Sequence, residues 1–342
     1  MSHRSSQHQS HPGGRVLLKN LLLAPATTRN YTTHFQSFLS FARLSSRKFF
    51  RKSVSRIDRM LSDYVQHLFD SDLPYNHASY AIYGCQWMRP DLKGHLLNTD
   101  QLLRAWDKDR FKESHPPMTW EVAVVLSVTM ARSGFHAHAI ALLLAFDCYL
   151  RVSELVNLER RDVILPNDSR AGSIAPGMAL RLAHTKTGPN QWVELKRPQV
   201  CKLVNAWLTH PSAVGSSQRA RVFPFSAHQF RDLLKLACHV NGVSGNGYTP
   251  HSLRHGGATC DYIGGANLND VLFRGRWEAT KSAKVYLQTG RARLALCTVP
   301  LKIHQLGLLF NANLVPLLTH LQHIIALRRD RKRKRVSFAE RS

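Results

Sequence analysis

Between Asp162 and Lys196 the chain alternates apolar and polar residues with a period of two, in three short runs, DVILPN, GMALRLAHTK and NQWVELK, with turn residues between them. To either side, apolar residues recur three and four apart. This arrangement predicts a mainly α protein carrying one small antiparallel β-sheet in its second half. The stretch TTRNYTTHFQSFLSFARLS offers a Thr cap and the apolar positions Tyr31, Phe35, Phe38, Leu39 and Phe41, and SRIDRMLSDYVQHLF repeats the spacing with Ile57, Leu61, Val65 and Leu68. Later helices are expected over HAHAIALLLAFDCYLRVSELVNL, read as one long apolar helix, and over SAHQFRDLLKLACHV, SLRHGGATCDYIGG and ANLNDVLFRGRW. No internal repeat is visible.

With 342 residues there is enough chain for two domains with separate cores. The prolines of FKESHPPMTW mark the linker. The expected organisation is a disordered tail over 1–14, a helical domain over 15–112 and a second domain, with the small sheet, over 113–300. A C-terminal helical segment over 301–327 and a basic tail over 328–342 follow. The run 301–327 either packs within its own domain or contacts another protomer.

The formal charge is +25, and residues 1–115, 116–290 and 291–342 contribute +8, +8 and +9. Excess charge in every segment points to a polyanion, because self-repulsion of this size disfavours a compact chain unless phosphates offset it. Six scattered cysteines without a CxxC pair argue against a disulfide scaffold or zinc finger and for a reducing compartment. No apolar run is long enough to span a bilayer, and the N-terminus lacks the apolar core of a signal peptide. Within ARLSSRKFFRKSVSR, Arg43, Arg47, Lys48, Arg51 and Lys52 belong to a cluster of six cations with no acidic residue. It reads equally as a solvated linker or as a turn that grips phosphates.

Arg151 and Glu154 stand three apart beside a strongly apolar stretch, either as an intrahelical ion pair or as a guanidinium oriented to fork two phosphate oxygens. Lys186 precedes Thr-Gly-Pro-Asn, which is hairpin-turn chemistry; a lysine there is ordinarily solvated, but once desolvated it would donate a proton near neutrality. In PHSLRHGGAT, His251 and Arg254 are also three apart, behind Pro250 at a helix start. His255 makes the tract resemble a metal site. Arg254 would repel a cation, and no further ligand lies at the needed spacing, so an anion suits it better. The paired glycines are expected to let that helix pack closely beside the anion pocket. In LFRGRWEATKSAKVYLQTG, Tyr286 lies nine residues after Trp277 with Arg276, Lys281 and Lys284 nearby. This is an amphipathic surface helix, or a nucleophile beside a phosphate.

The order Arg…Lys…His-x-x-Arg…Trp…Tyr, from Arg151 to Tyr286, resembles the tyrosine recombinase (phage integrase) family, nearest its Cre-like members, which also carry Trp at the position of Trp277. The resemblance implies a two-domain clamp on duplex DNA, with a core-binding, DNA-binding domain over 15–112 and the catalytic domain over 113–300, a synaptic homotetramer and no cofactor. Arg151 and Arg254 would hold the scissile phosphate with His251 and Trp277, Glu154 would support Arg151, Lys186 would protonate the leaving 5′ oxygen and Tyr286 would attack. Arg43, Arg47, Lys48, Arg51, Lys52, Arg276, Lys281 and Lys284 would contact DNA. The alternatives are a catalytically inactive DNA-binding descendant of a recombinase and a type IB topoisomerase. The run RRDRKRKR, seven cations in eight residues, suggests nuclear import and an origin in a mobile element.

Overall fold

The computed structural model describes residues 22–110, 115–166, 168, 177–185, 188–209, 217–278, 287, 289–321 and 323. The chain divides into two compact units, Met1–Glu113 and Ser114–Ser342. Each has its own apolar core.

The first unit holds helices α1 (Pro25–Phe41), α2 (Ser46–Arg51), α3 (Val54–Asp70), α4 (Tyr75–Met88) and α5 (Leu97–Asp109). The predicted apolar faces are the packed ones: Phe35, Phe38 and Leu39 of α1 and Ile57, Leu61, Val65 and Leu68 of α3 are all buried. The expected Thr cap does not form. Instead α1 starts earlier, at Pro25, whose fixed φ suits the first helical position. The buried Asp58 of α3 accepts from the backbone N–H groups of Asn98 (3.1 Å) and Thr99 (2.9 Å), capping the first turn of α5 from another helix. Gly84 lets α4 close on α1, since a Cβ there would stand 2.6 Å from Tyr31 O.

Among its described residues the second unit is helical apart from three strands, β1 (Val163–Ile164), β2 (Ala179–Thr185) and β3 (Gly188–Glu194), antiparallel in the order β1-β2-β3. The hairpin register pairs Thr185 with Gly188. Thus Gly188–Asn190 belong to β3 rather than to a turn, which corrects the sequence reading of that tetrapeptide. Its helices are α6 (Trp120–Arg132), α7 (His136–Asp147), α8 (Val152–Asn157), α9 (Pro198–Thr209), α10 (Ala227–Val240), α11 (Pro250–Ile263), α12 (Leu268–Gly275), α13 (Thr289–Thr298) and α14 (Leu301–Ala312).

The helix expected to run from His136 to Leu158 is two helices. Tyr149 adopts a left-handed backbone (φ 48°), and the Leu150 N–H turns back to Ala145 O (3.0 Å), closing α7 before Arg151 is reached. Arg151 therefore lies ahead of α8 as its N-cap.

For the segment 301–327, α14 packs on α6 of the same unit. Trp120 Nε1 donates to Asn311 Oδ1 (2.9 Å), and Gly307 sits so close to Glu121 that any Cβ would collide with it. No helix among the described residues is long and apolar enough to cross a membrane.

Candidate active site and DNA-facing surface

The break between α7 and α8 is what the site is built around. A helix that stops leaves carbonyls without intrahelical donors, and here they are buried. Three arginines supply the donors. Arg274 Nη2 donates to Asp147 O (2.6 Å), Arg276 donates to Cys148 O (3.3 Å) and Tyr149 O (3.1 Å), and Arg254 Nη1 also donates to Tyr149 O. Each of these bonds is charge-assisted, so the corner before Arg151 is held more firmly than a solvated turn would be.

Glu154 is the third residue of α8, and its carboxylate reaches back to the N-cap: Oε2 accepts from the Arg151 N–H (2.9 Å) and Oε1 from Arg151 Nη1 (2.7 Å). That is the carboxylate half of a capping box, with a guanidinium added. The expected pair Arg151–Glu154 is therefore present, though as a cap and not along a helix face. Glu154 also receives a second cation, Arg276 Nη2, at 2.9 Å.

Arg276 was expected on the DNA-facing surface. It is instead buried, 7% exposed, with its charge turned inward to Glu154 and to backbone carbonyls. It ends α12 in the left-handed region (φ 56°, ψ 46°), where the Trp277 N–H returns to Leu272 O (3.1 Å). A non-glycine residue costs about 1 kcal/mol in that conformation. Nothing in the sequence distinguishes Arg276 from the cations around it except its place just after a helix, where glycine is the usual residue.

Helix α11 carries the other half. Thr249 caps it, with its N–H donating to Ser252 Oγ (3.1 Å), and Pro250 occupies the first turn. This places His251 in the first turn and Arg254 one turn on. Gly256 and Gly257 allow the approach of α11, since a Cβ on either would overlap the carbonyl oxygens of Met118 and Phe146 respectively. Arg254 is 0% exposed; besides Tyr149 O it donates to Gly275 O (2.5 Å), and the Trp277 ring lies over its guanidinium at 4.6 Å. Arg151 keeps more solvent contact, with 17% of its side chain exposed.

His255 is buried inside α11. His251 is flanked by a residue that sequence reasoning missed. His115, read as linker, stacks on the His251 ring with centroids 5.3 Å apart and planes 8° apart. Partial burial lowers the pKa of His251, and electrostatic interaction with His115, Arg254, Arg151 and Arg231 lowers it further. Lys196 Nζ lies 3.4 Å from Asp261 Oδ2. Lys186, Lys281, Lys284 and Tyr286 lie outside the described residues. No group of three or more His, Cys, Asp or Glu side chains among the described residues is arranged to hold a metal ion.

In the first unit the basic cluster runs through a short helix: Arg47, Lys48 and Arg51 lie on α2, Arg43 stands in the turn before it, Lys52 ends it and Arg56 lies on α3. Ser45 caps α2, Phe49 anchors it in the core, and Arg89 clamps the carbonyls of Phe49 (3.2 Å) and Lys52 (2.8 Å). Arg43, Arg47, Lys48 and Arg51 are exposed, and Lys52 is half-buried.

The fold is similar to that of the Tn1549 transposon integrase in complex with transposon right-end DNA, with a TM-score of 0.56 and 14% identity over 82% of this chain and 96% of that one. It is also similar to a lambda integrase dimer bound to a COC′ core site, with a TM-score of 0.54 and 14% identity over 80% of this chain and 93% of that one. No curated protein sequence matches the chain. The sequence of residues 123–293, half of the chain, matches the phage integrase family, and with the fold just described this establishes that the protein belongs to that family of site-specific DNA recombinases.

Proposed function

We propose that the protein cleaves and rejoins duplex DNA through Tyr286, with Arg151, His251, Arg254, Trp277 and Lys186 as its helpers. The observation that carries this reading is the convergence of Arg151, His251, Arg254 and Trp277 from three separate stretches of chain around the α7–α8 corner. In the cleavage step the Tyr286 oxygen attacks the scissile phosphorus, a phosphorus–oxygen bond to the tyrosine forms and the bond to the 5′ oxygen breaks. His251, uncharged at neutral pH, takes the phenolic proton, and Lys186 gives one to the departing 5′ oxygen. The guanidiniums of Arg151 and Arg254 face the negative charge that builds on the non-bridging oxygens. A 5′-hydroxyl from a partner strand reverses the step. A mobile-element origin and assembly as a homotetramer on two DNA sites fit this chemistry.

Nicked suicide duplexes built from the flanks of the chain's own gene test the reading. The wild type is expected to form a covalent protein–DNA adduct and Tyr286→Phe none. An adduct that survives in Tyr286→Phe removes Tyr286 from this role. Absence of any adduct in the wild type favours the inactive DNA-binding alternative, and relaxation of a single plasmid without exchange between two sites favours a topoisomerase. The basic run of residues 328–335 supports a nuclear location. A fluorescent fusion lacking 328–335 is expected to lose nuclear accumulation; retention would refute that assignment.

A further inference from the structure

Arg276 is not needed to close α12, because a glycine would make the same turn without strain. Its side chain must therefore be there for what it touches. It touches Glu154 at 2.9 Å, on the same oxygen that accepts the Arg151 N–H, and it also holds the carbonyls of Cys148 and Tyr149 just ahead of Arg151. Only a guanidinium, with donors fixed in a planar fork, spans these acceptors at once.

The charges matter as much as the geometry. Glu154 alone would neutralise Arg151, leaving the pair with no net charge to offer a phosphate. With Arg276 bound to the same carboxylate, the three groups together carry one positive charge, and Arg151 is the member that solvent reaches.

We propose that Arg276 is a positioning residue for strand cleavage: by sharing Glu154 and pinning the corner at 148–149, it holds Arg151 in place and leaves its charge available to the scissile phosphate. This rests on the reading of Arg151 as a phosphate ligand. Arg276 itself does not contact DNA.

Single-turnover adduct formation on nicked suicide duplexes, measured at saturating DNA and alongside DNA affinity, tests it. Arg276→Met is expected to lower the saturated rate about 10²- to 10³-fold, the scale of losing one transition-state donor, with affinity unchanged within twofold. The double variant Arg276→Met/Glu154→Gln is expected to recover at least tenfold of that loss. A neutral amide still accepts from Arg151 but no longer cancels its charge, whereas damage to the fold would only accumulate. Arg276→Lys keeps a cation beside Glu154 and carries the test if the Met variant does not fold; it is expected to be about tenfold slow at unchanged affinity. A variant that loses affinity while keeping its saturated rate would make Arg276 a DNA contact and overturn the proposal. So would unchanged rates, or a double variant slower than the single one. A wild type without a Tyr286 adduct would instead refute the function proposed above, and it is seen before any variant is compared.

Discussion

At the scale of single residues, the site gathers basic side chains around one imidazole. His251 faces His115 from the segment before α6, Arg254 on its own helix, Arg151 at the α7–α8 corner and Arg231 on α10. Partial burial and these charges all favour the neutral imidazole, so its pKa lies below the ordinary value of about 6.5. The folded state then binds the proton less readily than the unfolded state. Cleavage and this residue's share of stability both hold at neutral pH and fall as the pH drops below the ordinary value toward the depressed one. His115→Phe preserves a ring against His251 but removes an electrostatic neighbour that disfavours its protonation. The acid limb of the pH–rate profile for adduct formation is expected to move upward, while staying below the ordinary value because burial remains. An acid limb that does not move would show that His115 is no electrostatic neighbour of the reaction. The pairing of Arg151 with Glu154 is legible in the sequence, because three-residue spacing brings opposite charges together at a helix start as well as within a helix. Arg276 and His115 are not legible. Their partners lie more than a hundred residues away, and spacing carries no information over that distance.

At the scale of elements, α11 is the piece whose placement decides whether the site exists. Its glycines meet backbone, not flexible side chains: Gly256 lies against Met118 O and Gly257 against Phe146 O, with the Tyr149 ring beside it. Backbone cannot give way cheaply, so an added methyl must displace the helix. Gly256→Ala and Gly257→Ala are each expected to cost about 2–3 kcal/mol, read as a lowered denaturant midpoint at constant slope. Gly245→Ala, where a Cβ meets open space, should stay within about 0.5 kcal/mol. Equal effects at all three positions would mean that α11 is not closely packed. The glycine pair announces itself in the sequence, as does the sheet, whose period-two alternation agrees with burial of Leu180, Leu182 and Val193. The break at Tyr149 does not. Apolar residues continue through it at helical spacing, and what stops the helix is tertiary: Asp147 accepts from the Lys196 N–H and from Arg197, while arginines from α11 and the end of α12 take the freed carbonyls.

At the scale of the whole molecule, where the formal charge is +25, the cations among the described residues include two populations that sequence alone cannot separate. One is internal: Arg254, Arg274 and Arg276 are buried and pinned to carbonyls and carboxylates. The other is external, as in α2, where Arg47 and Arg51 stand exposed on a helix fixed from beneath by Phe49 and Arg89. Counting charge finds the polyanion partner but not the cations that meet it. Along the DNA backbone the external group displaces counterions, and each phosphate neutralised adds about 0.9 to the slope of log affinity against log salt. Arg47→Ala and Arg51→Ala are therefore each expected to weaken binding to any duplex and to flatten that slope by about 1. Arg276→Lys should leave the slope as it is, because a buried cation releases no counterion. Fluorescence anisotropy with a labelled duplex over 50–300 mM salt distinguishes the two groups. A slope that Arg276→Lys changes and that Arg47→Ala and Arg51→Ala do not would reverse the assignment of inner and outer charge.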